Sequence, residues 1–171
     1  PKVSVDDLVA DPVETVRAMA VIGAPHARIA LPPRLYGDRR ANSIGIDLAS
    51  DSALAHLAQA FGATVDVAWM AQPLLAQGAG AGTARAVVNP ADHGDIVGTV
   101  IEASEAEAAQ AVRHAAAQAA VWAAIPSVER AAMLERAADI MQARIATLMG
   151  LVIREAGKSA ANAVAEVREA I

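Results

Sequence analysis

The sequence predicts a helix-rich α/β fold: a helical and extended linker, then a short β-hairpin, then amphipathic helices. Three observations predict it. Leu134, Ala137, Met141, Ile145 and Leu148 follow one another at steps of three and four, which puts them on one face of a helix. Ala84 to Val88 and Ile96 to Val100 are β-prone runs on either side of the turn-rich spacer Asn89-Pro90-Ala91-Asp92-His93-Gly94-Asp95. From Pro25 to Gly45 no period is sustained, and three prolines, two glycines and four arginines in 21 residues read as an extended connector.

At the start of the chain, Ser4 with Asp7 and Asp11-Pro12 with Glu14 mark two helix starts, because acids and an N1 proline suit the free N–H groups there. The second helix is expected from Pro12 to about Ala20, ending near Gly23. Arg28, Arg34, Arg39 and Arg40 in the connector read as solvated linker charges rather than a phosphate site. Asp47 to Phe61 reads as a short helix with Leu54, Leu57 and Phe61 on one side and Gly62 at its end. A weak alternation over Thr64 to Ala68 suggests a strand. Gly78-Ala79-Gly80-Ala81-Gly82 reads as a flexible loop, not a dinucleotide fingerprint, since no strand leads in and no helix follows.

The hairpin is expected to close over a wide loop, residues 89–95. Ser104 and Glu107 form a capping box for a helix to about Ala120, with Val112, Ala116 and Ala119 inward and Glu105, Gln110 and Arg113 outward. A helix over 128–156 follows and is closed by Gly157, where a C-cap favours positive φ. Ser159 caps a last helix, 160–171. It stops in mid-pattern at Ile171 without a terminator, which reads as a piece of a larger fold.

Composition narrows the chemistry. Apolar residues make up 55% of the 171, yet aromatics only 2%, so the core relies on small side chains. A net charge of −5 argues against nucleic acid, which needs a basic face. With no cysteine, disulfides and thiolate metal sites are excluded and a cytoplasmic setting is expected. No apolar run reaches the roughly 18 residues that cross a bilayer.

A catalytic set is not apparent. Nucleophilic catalysis by a thiol is excluded, Ser127 and Ser159 serve as caps, and Ser43 falls in the connector. His26, His56, His93 and His114 are scattered, and His93 between Asp92 and Asp95 reads as a solvated turn histidine. We therefore expect no metal site and no cofactor-binding residue in this stretch.

Trp122, Pro126, Arg130, Ala131 and Leu134, in the pattern W-x-x-x-P-x-x-x-R-A-x-x-L, with R-E-A-G-K at 154–158, resemble the amino-terminal part of the aldehyde dehydrogenase superfamily. The N-P-A-x-x-x-x-x-V-G run from Asn89 to Gly98 resembles that family's entry to its NAD-binding domain. Ala165 to Ile171 looks like the branch acting on glutamate semialdehyde. Leu31 to Gly37 and Arg40 to Leu48 are similar to the connector behind the proline dehydrogenase barrel in the proline utilization A family of bifunctional enzymes. The resemblance implies residues 1–83 as linker and 84–171 as the first, incomplete part of an aldehyde dehydrogenase NAD-binding domain.

It further implies NAD as cofactor of that domain and FAD as cofactor of a preceding proline dehydrogenase domain. L-glutamate γ-semialdehyde would be the substrate and the remainder of the same polypeptide the main partner. Homo-oligomerisation and peripheral membrane association of the parent are also implied, while the nucleophilic cysteine, the thioester-hydrolysing glutamate and the NAD-holding turn would lie beyond this segment. On residues alone, Asn162, Glu166 and Glu169 form a water-facing stripe opposite Val164, Val167 and Ile171. The resemblance gives Glu169 a different role, as a carboxylate facing the aldehyde pocket. A non-enzymatic helical adaptor, binding a protein partner through apolar helix faces, is the alternative reading.

Overall fold

The computed structural model describes residues 3–76, 78–80 and 82–171. The chain divides into two compact units, residues 1–42 and 43–171.

In the first unit, helix α1 (Val5–Val9) is capped by the Ser4 side chain, and α2 (Pro12–Arg17) by Asp11, whose Oδ1 accepts from the Val13 N–H at 2.8 Å. Proline at N1 of α2 has no N–H to leave unpaired. This helix ends at Arg17, short of the expected Ala20, and Gly23 takes φ 78°. Neither helix buries a residue, which leaves little to extend them. The connector holds a single 3₁₀ turn, Pro32–Arg34, and the Arg40 guanidinium stacks 4.2 Å over the Tyr36 ring.

The second unit holds the core. Helix α3 (Asp51–Gly62) starts at the Ser50 cap rather than at Asp47, because Asp47 forms a turn in which its Oδ1 accepts from the Ala49 N–H at 2.9 Å. Thr64 to Ala68 does not form the expected strand. The Thr64 hydroxyl donates to the Phe61 carbonyl at 3.1 Å, tying this stretch to the open end of α3. The strand comes later, as β1 (Trp69–Ala71), followed by the small antiparallel pair β2 (Leu74–Leu75) and β3 (Gly78–Ala79). Part of the expected glycine loop is thus paired, while Ala81 lies outside the described residues.

Strands β4 (Ala84–Asn89) and β5 (Asp92–Ile101) form the expected hairpin, but with a tight turn at Pro90 and Ala91 instead of a wide loop. Asn89 Oδ1 accepts from the Ala91 N–H at 2.9 Å and Asp92 Oδ1 from the Gly94 N–H at 3.0 Å. Those side chains supply the turn bonds and let the ladder resume at Asp92. A register shift between Val87 and Asn89 absorbs the irregularity. Strand β5 is central, antiparallel to β4 and parallel to β1.

Helix α4 (Glu105–Ala124) has the expected Ser104–Glu107 capping box and runs one turn further than Ala120. Its apolar face is not inward here. Val112 is 69% exposed, and Ala116 and Ala119 are exposed as well, since no other described element packs along this helix. The expected helix 128–156 is two helices, α5 (Ser127–Ala143) and α6 (Ile145–Ala156), with Arg144 between them at φ −107°, ψ 16°. Ser127 is the first residue of α5 rather than its cap; Pro126 holds the cap position, and no side chain bonds the free N–H groups there. The break at Arg144 divides the apolar series. Ile145 and Leu148 join the core, whereas Leu134 stays 75% exposed.

Helix α7 (Ala160–Ala170) completes the unit. Met149 on α6 is wholly buried among Leu57, Ala163, Val164 and Val167, with Phe61, Val152 and Ile153 around them. Among the described residues no helix is long and apolar enough to cross a membrane.

Candidate functional site

Helix α7 begins at the Ser159 cap, whose Oγ accepts from the Asn162 N–H at 3.3 Å. One face, Ala163, Val164 and Val167, is buried against α6, and Asn162, Glu166 and Glu169 are exposed on the other. The stripe is divided by its partners. Lys158 Nζ donates to Glu166 Oε1, closing the entry to the helix. Glu169, by contrast, has no hydrogen bond or ion pair among the described residues, and its carboxylate is open to solvent.

Beside it, Arg168 is half-buried, and its Nε is buried without an acceptor. The guanidinium lies against Gly45, where an added Cβ would stand 3.5 Å from Nη1. The backbone from Ser43 to Leu48 lies along the helices here, with the Ile44 N–H donating to Gln142 Oε1 at 2.7 Å.

Upstream of α7 the corner is held by a network that sequence reasoning missed. Arg154, near the C-terminus of α6, reaches Asp95 on β5 with two bonds, Nε to Oδ2 at 3.0 Å and Nη2 to Oδ1 at 2.5 Å. Asn89 Nδ2 donates to the same Asp95 Oδ2 at 3.1 Å. The side chains of Arg154 and Asp95 are only 17% and 28% exposed. The Arg154 hydrogen bonds, then that of Asn89, lower the Asp95 pKa against the opposing effect of burial, and Asp95 in turn raises that of Arg154. No local signal marked the network, because Asp95 reads as one more acid of the turn-rich spacer, where aspartate is common.

The remaining candidates do not converge. Asp95 turns to Arg154 and Asp92 to its own turn, so neither neighbouring carboxylate partners His93 among the described residues. Among the described residues no three His, Asp or Glu side chains come together as metal ligands. His56 and Asp47 line an open depression of about 350 Å³ beside α3. In the glycine-rich stretch, a Cβ on Gly82 would overlap the Glu102 carbonyl just past the end of β5, so at this position the backbone faces the protein's own chain. We assign none of these residues to NAD.

A family profile described as "Aldehyde dehydrogenase family" matches residues 77–171. Over 173 aligned residues the chain is 54% identical to the bifunctional protein PutA of Rhizobium meliloti, taking in 100% of this chain and 14% of that protein. Among solved structures, a mutant form of the Thermus thermophilus 1-pyrroline-5-carboxylate dehydrogenase superposes with a TM-score of 0.66 at 26% identity, over 75% of this chain and 25% of that one. A Thermus 1-pyrroline-5-carboxylate dehydrogenase with bound NAD gives 0.65 at the same identity and coverage. The chain therefore spans about one seventh of the PutA relative and a quarter of the Thermus enzymes.

Proposed function

This chain belongs to the aldehyde dehydrogenase family, and on that footing we propose that it is the linker and opening segment of an NAD-dependent L-glutamate γ-semialdehyde dehydrogenase within a bifunctional proline-oxidising polypeptide. Residues 1–83 serve as the linker behind a flavin-dependent proline dehydrogenase domain, with Ser43 to Leu48 lying along the helices, and 84–171 open the NAD-binding domain. The observation that carries this reading is the 54% identity to a bifunctional relative across the linker as well as the dehydrogenase segment. NAD supplies a hydride acceptor when bound, and its contacts come from outside this segment, as does the nucleophile. We further propose a cytoplasmic homo-oligomer, with FAD in the proline dehydrogenase domain and peripheral attachment to the membrane.

Within the segment, Glu169 is the residue proposed to meet substrate. It stands on a helix whose other face is buried in the core, and its carboxylate has no protein partner among the described residues, which leaves it open to a ligand. It orients the polar substrate or a water near the nucleophile. It is not the thioester-hydrolysing base.

The test is an assay of the complete polypeptide and of residues 1–171 alone. The complete protein is expected to reduce NAD with L-glutamate γ-semialdehyde and to reduce a dye with proline. The segment alone is expected to form no NADH, because it has no thiol. NADH formation by the pure segment would overturn this division of roles.

A further inference from the structure

We infer that Asp95 and Arg154 are positioning residues for Glu169: their two-point ion pair sets the direction in which α7 leaves α6. This rests on the proposed pocket role of Glu169.

Three contacts converge on the corner between the two helices. The Arg154–Asp95 fork joins the last turn of α6 to β5, and Asn89 on β4 holds the same carboxylate. At the hairpin turn, Pro90 sits so close to Gly157 that an added Cβ there would stand 3.0 Å from its Cγ. Gly157 itself is left-handed at φ 63°, and only Lys158 and Ser159 separate it from α7. The hairpin tip is therefore a fixed anvil, and the chain bends around it.

The apolar core alone does not set this bend. Burial of Met149, Val164 and Val167 fixes how deeply α7 lies, but such contacts are non-directional and tolerate small rotations. A bidentate guanidinium–carboxylate pair has a preferred plane and resists them. Glu169 lies nine residues beyond Ala160, roughly 13 Å along the helix axis at about 1.5 Å per residue. A tilt of about 5° at the corner moves it by roughly 1 Å, a displacement on the order of that which costs about 100-fold in well-ordered sites.

The experiment is a double-mutant cycle in the complete polypeptide with Asp95→Asn and Glu169→Ala. Asp95→Asn preserves shape and removes the charge that Arg154 grips. It is expected to lower kcat/KM for L-glutamate γ-semialdehyde about tenfold, with the KM for NAD unchanged, and to add nothing when Glu169 is already alanine. Should Asp95→Asn not fold, Arg154→Lys carries the same comparison, since it keeps the charge and loses the fork. Losses that multiply in the double variant overturn the inference, because they place the effect outside Glu169. So does wild-type activity of the Asp95 variant while Glu169→Ala is impaired. If Glu169→Ala is itself silent, the pocket role fails and this inference with it.

Discussion

Arg154 and Asp95 stand 59 positions apart in sequence and meet through two hydrogen bonds, joining the end of a helix to the middle strand of the sheet. The pair gives the second unit a defined response to acid. Folding lowers the Asp95 pKa, first through the Arg154 hydrogen bonds and then through Asn89. A depressed carboxylate stabilises the folded state fully above its unfolded value of about 3.9 and loses that contribution as pH falls through the lower folded value. Melting curves of wild type and Asp95→Asn in the complete polypeptide are expected to differ at pH 6 and to converge as pH falls through the lowered Asp95 value. A gap that stays constant with pH would show that Asp95 contributes shape and not charge.

Gly157 predicts a second, independent weakness at the same corner. Its φ of 63° lies where a side chain strains the backbone by about 1–2 kcal/mol, and Pro90 leaves a new Cβ little room. Gly157→Ala is expected to lower stability by roughly that amount or more, read from denaturant midpoints. An unchanged midpoint would mean that the corner relaxes freely, which also argues against a rigid support for α7.

Trp122 tests what covers α4. Trp122 is 45% exposed here, and Val121, Val128 and Leu134 on α4 and α5 are exposed too. In the complete polypeptide Trp122→Ala is expected to cost about 3–5 kcal/mol, with turnover per folded molecule retained. In residues 1–171 alone the same change is expected to cost far less. Normal stability with altered substrate preference in the complete protein would place the indole at the pocket.

The Ser4, Asp11, Ser104 and Ser159 caps are legible in the sequence because a capping side chain bonds within three residues of itself. The buried face of α7 is legible too, since Val164 and Val167 follow helical spacing around a polar stripe. The break at Arg144 is not, for Ala143-Arg144-Ile145 contains no helix breaker and what distinguishes its two sides is the packing of α6 against α3, α7 and the hairpin. Exposure of α4 is equally hidden, because periodicity reports which face is apolar, not whether anything lies against it. Arg154 sits in the last turn of a helix, where a cation needs no distant partner, and its carboxylate 59 residues away leaves no local trace. The adaptor alternative gains nothing from the relatives, which are enzymes of the dehydrogenase class or bifunctional proteins carrying this segment.

Glu169 carries the final prediction. Val164 and Val167 in the turns before it bury the opposite face of α7, while its carboxylate is exposed with no protein partner among the described residues. An exposed glutamate of this kind ordinarily contributes little to stability, so its removal is a clean probe of function. In the complete polypeptide, Glu169→Ala is expected to lower turnover on L-glutamate γ-semialdehyde about tenfold or more, with NAD affinity and Tm nearly unchanged. Glu169→Gln separates charge from hydrogen bonding. If the carboxylate orients substrate by accepting hydrogen bonds, the amide recovers part of the rate through its carbonyl oxygen; if the charge is required, it recovers none. Wild-type kinetics in both variants would return Glu169 to the solvated face of the helix and leave this segment without a residue that touches substrate.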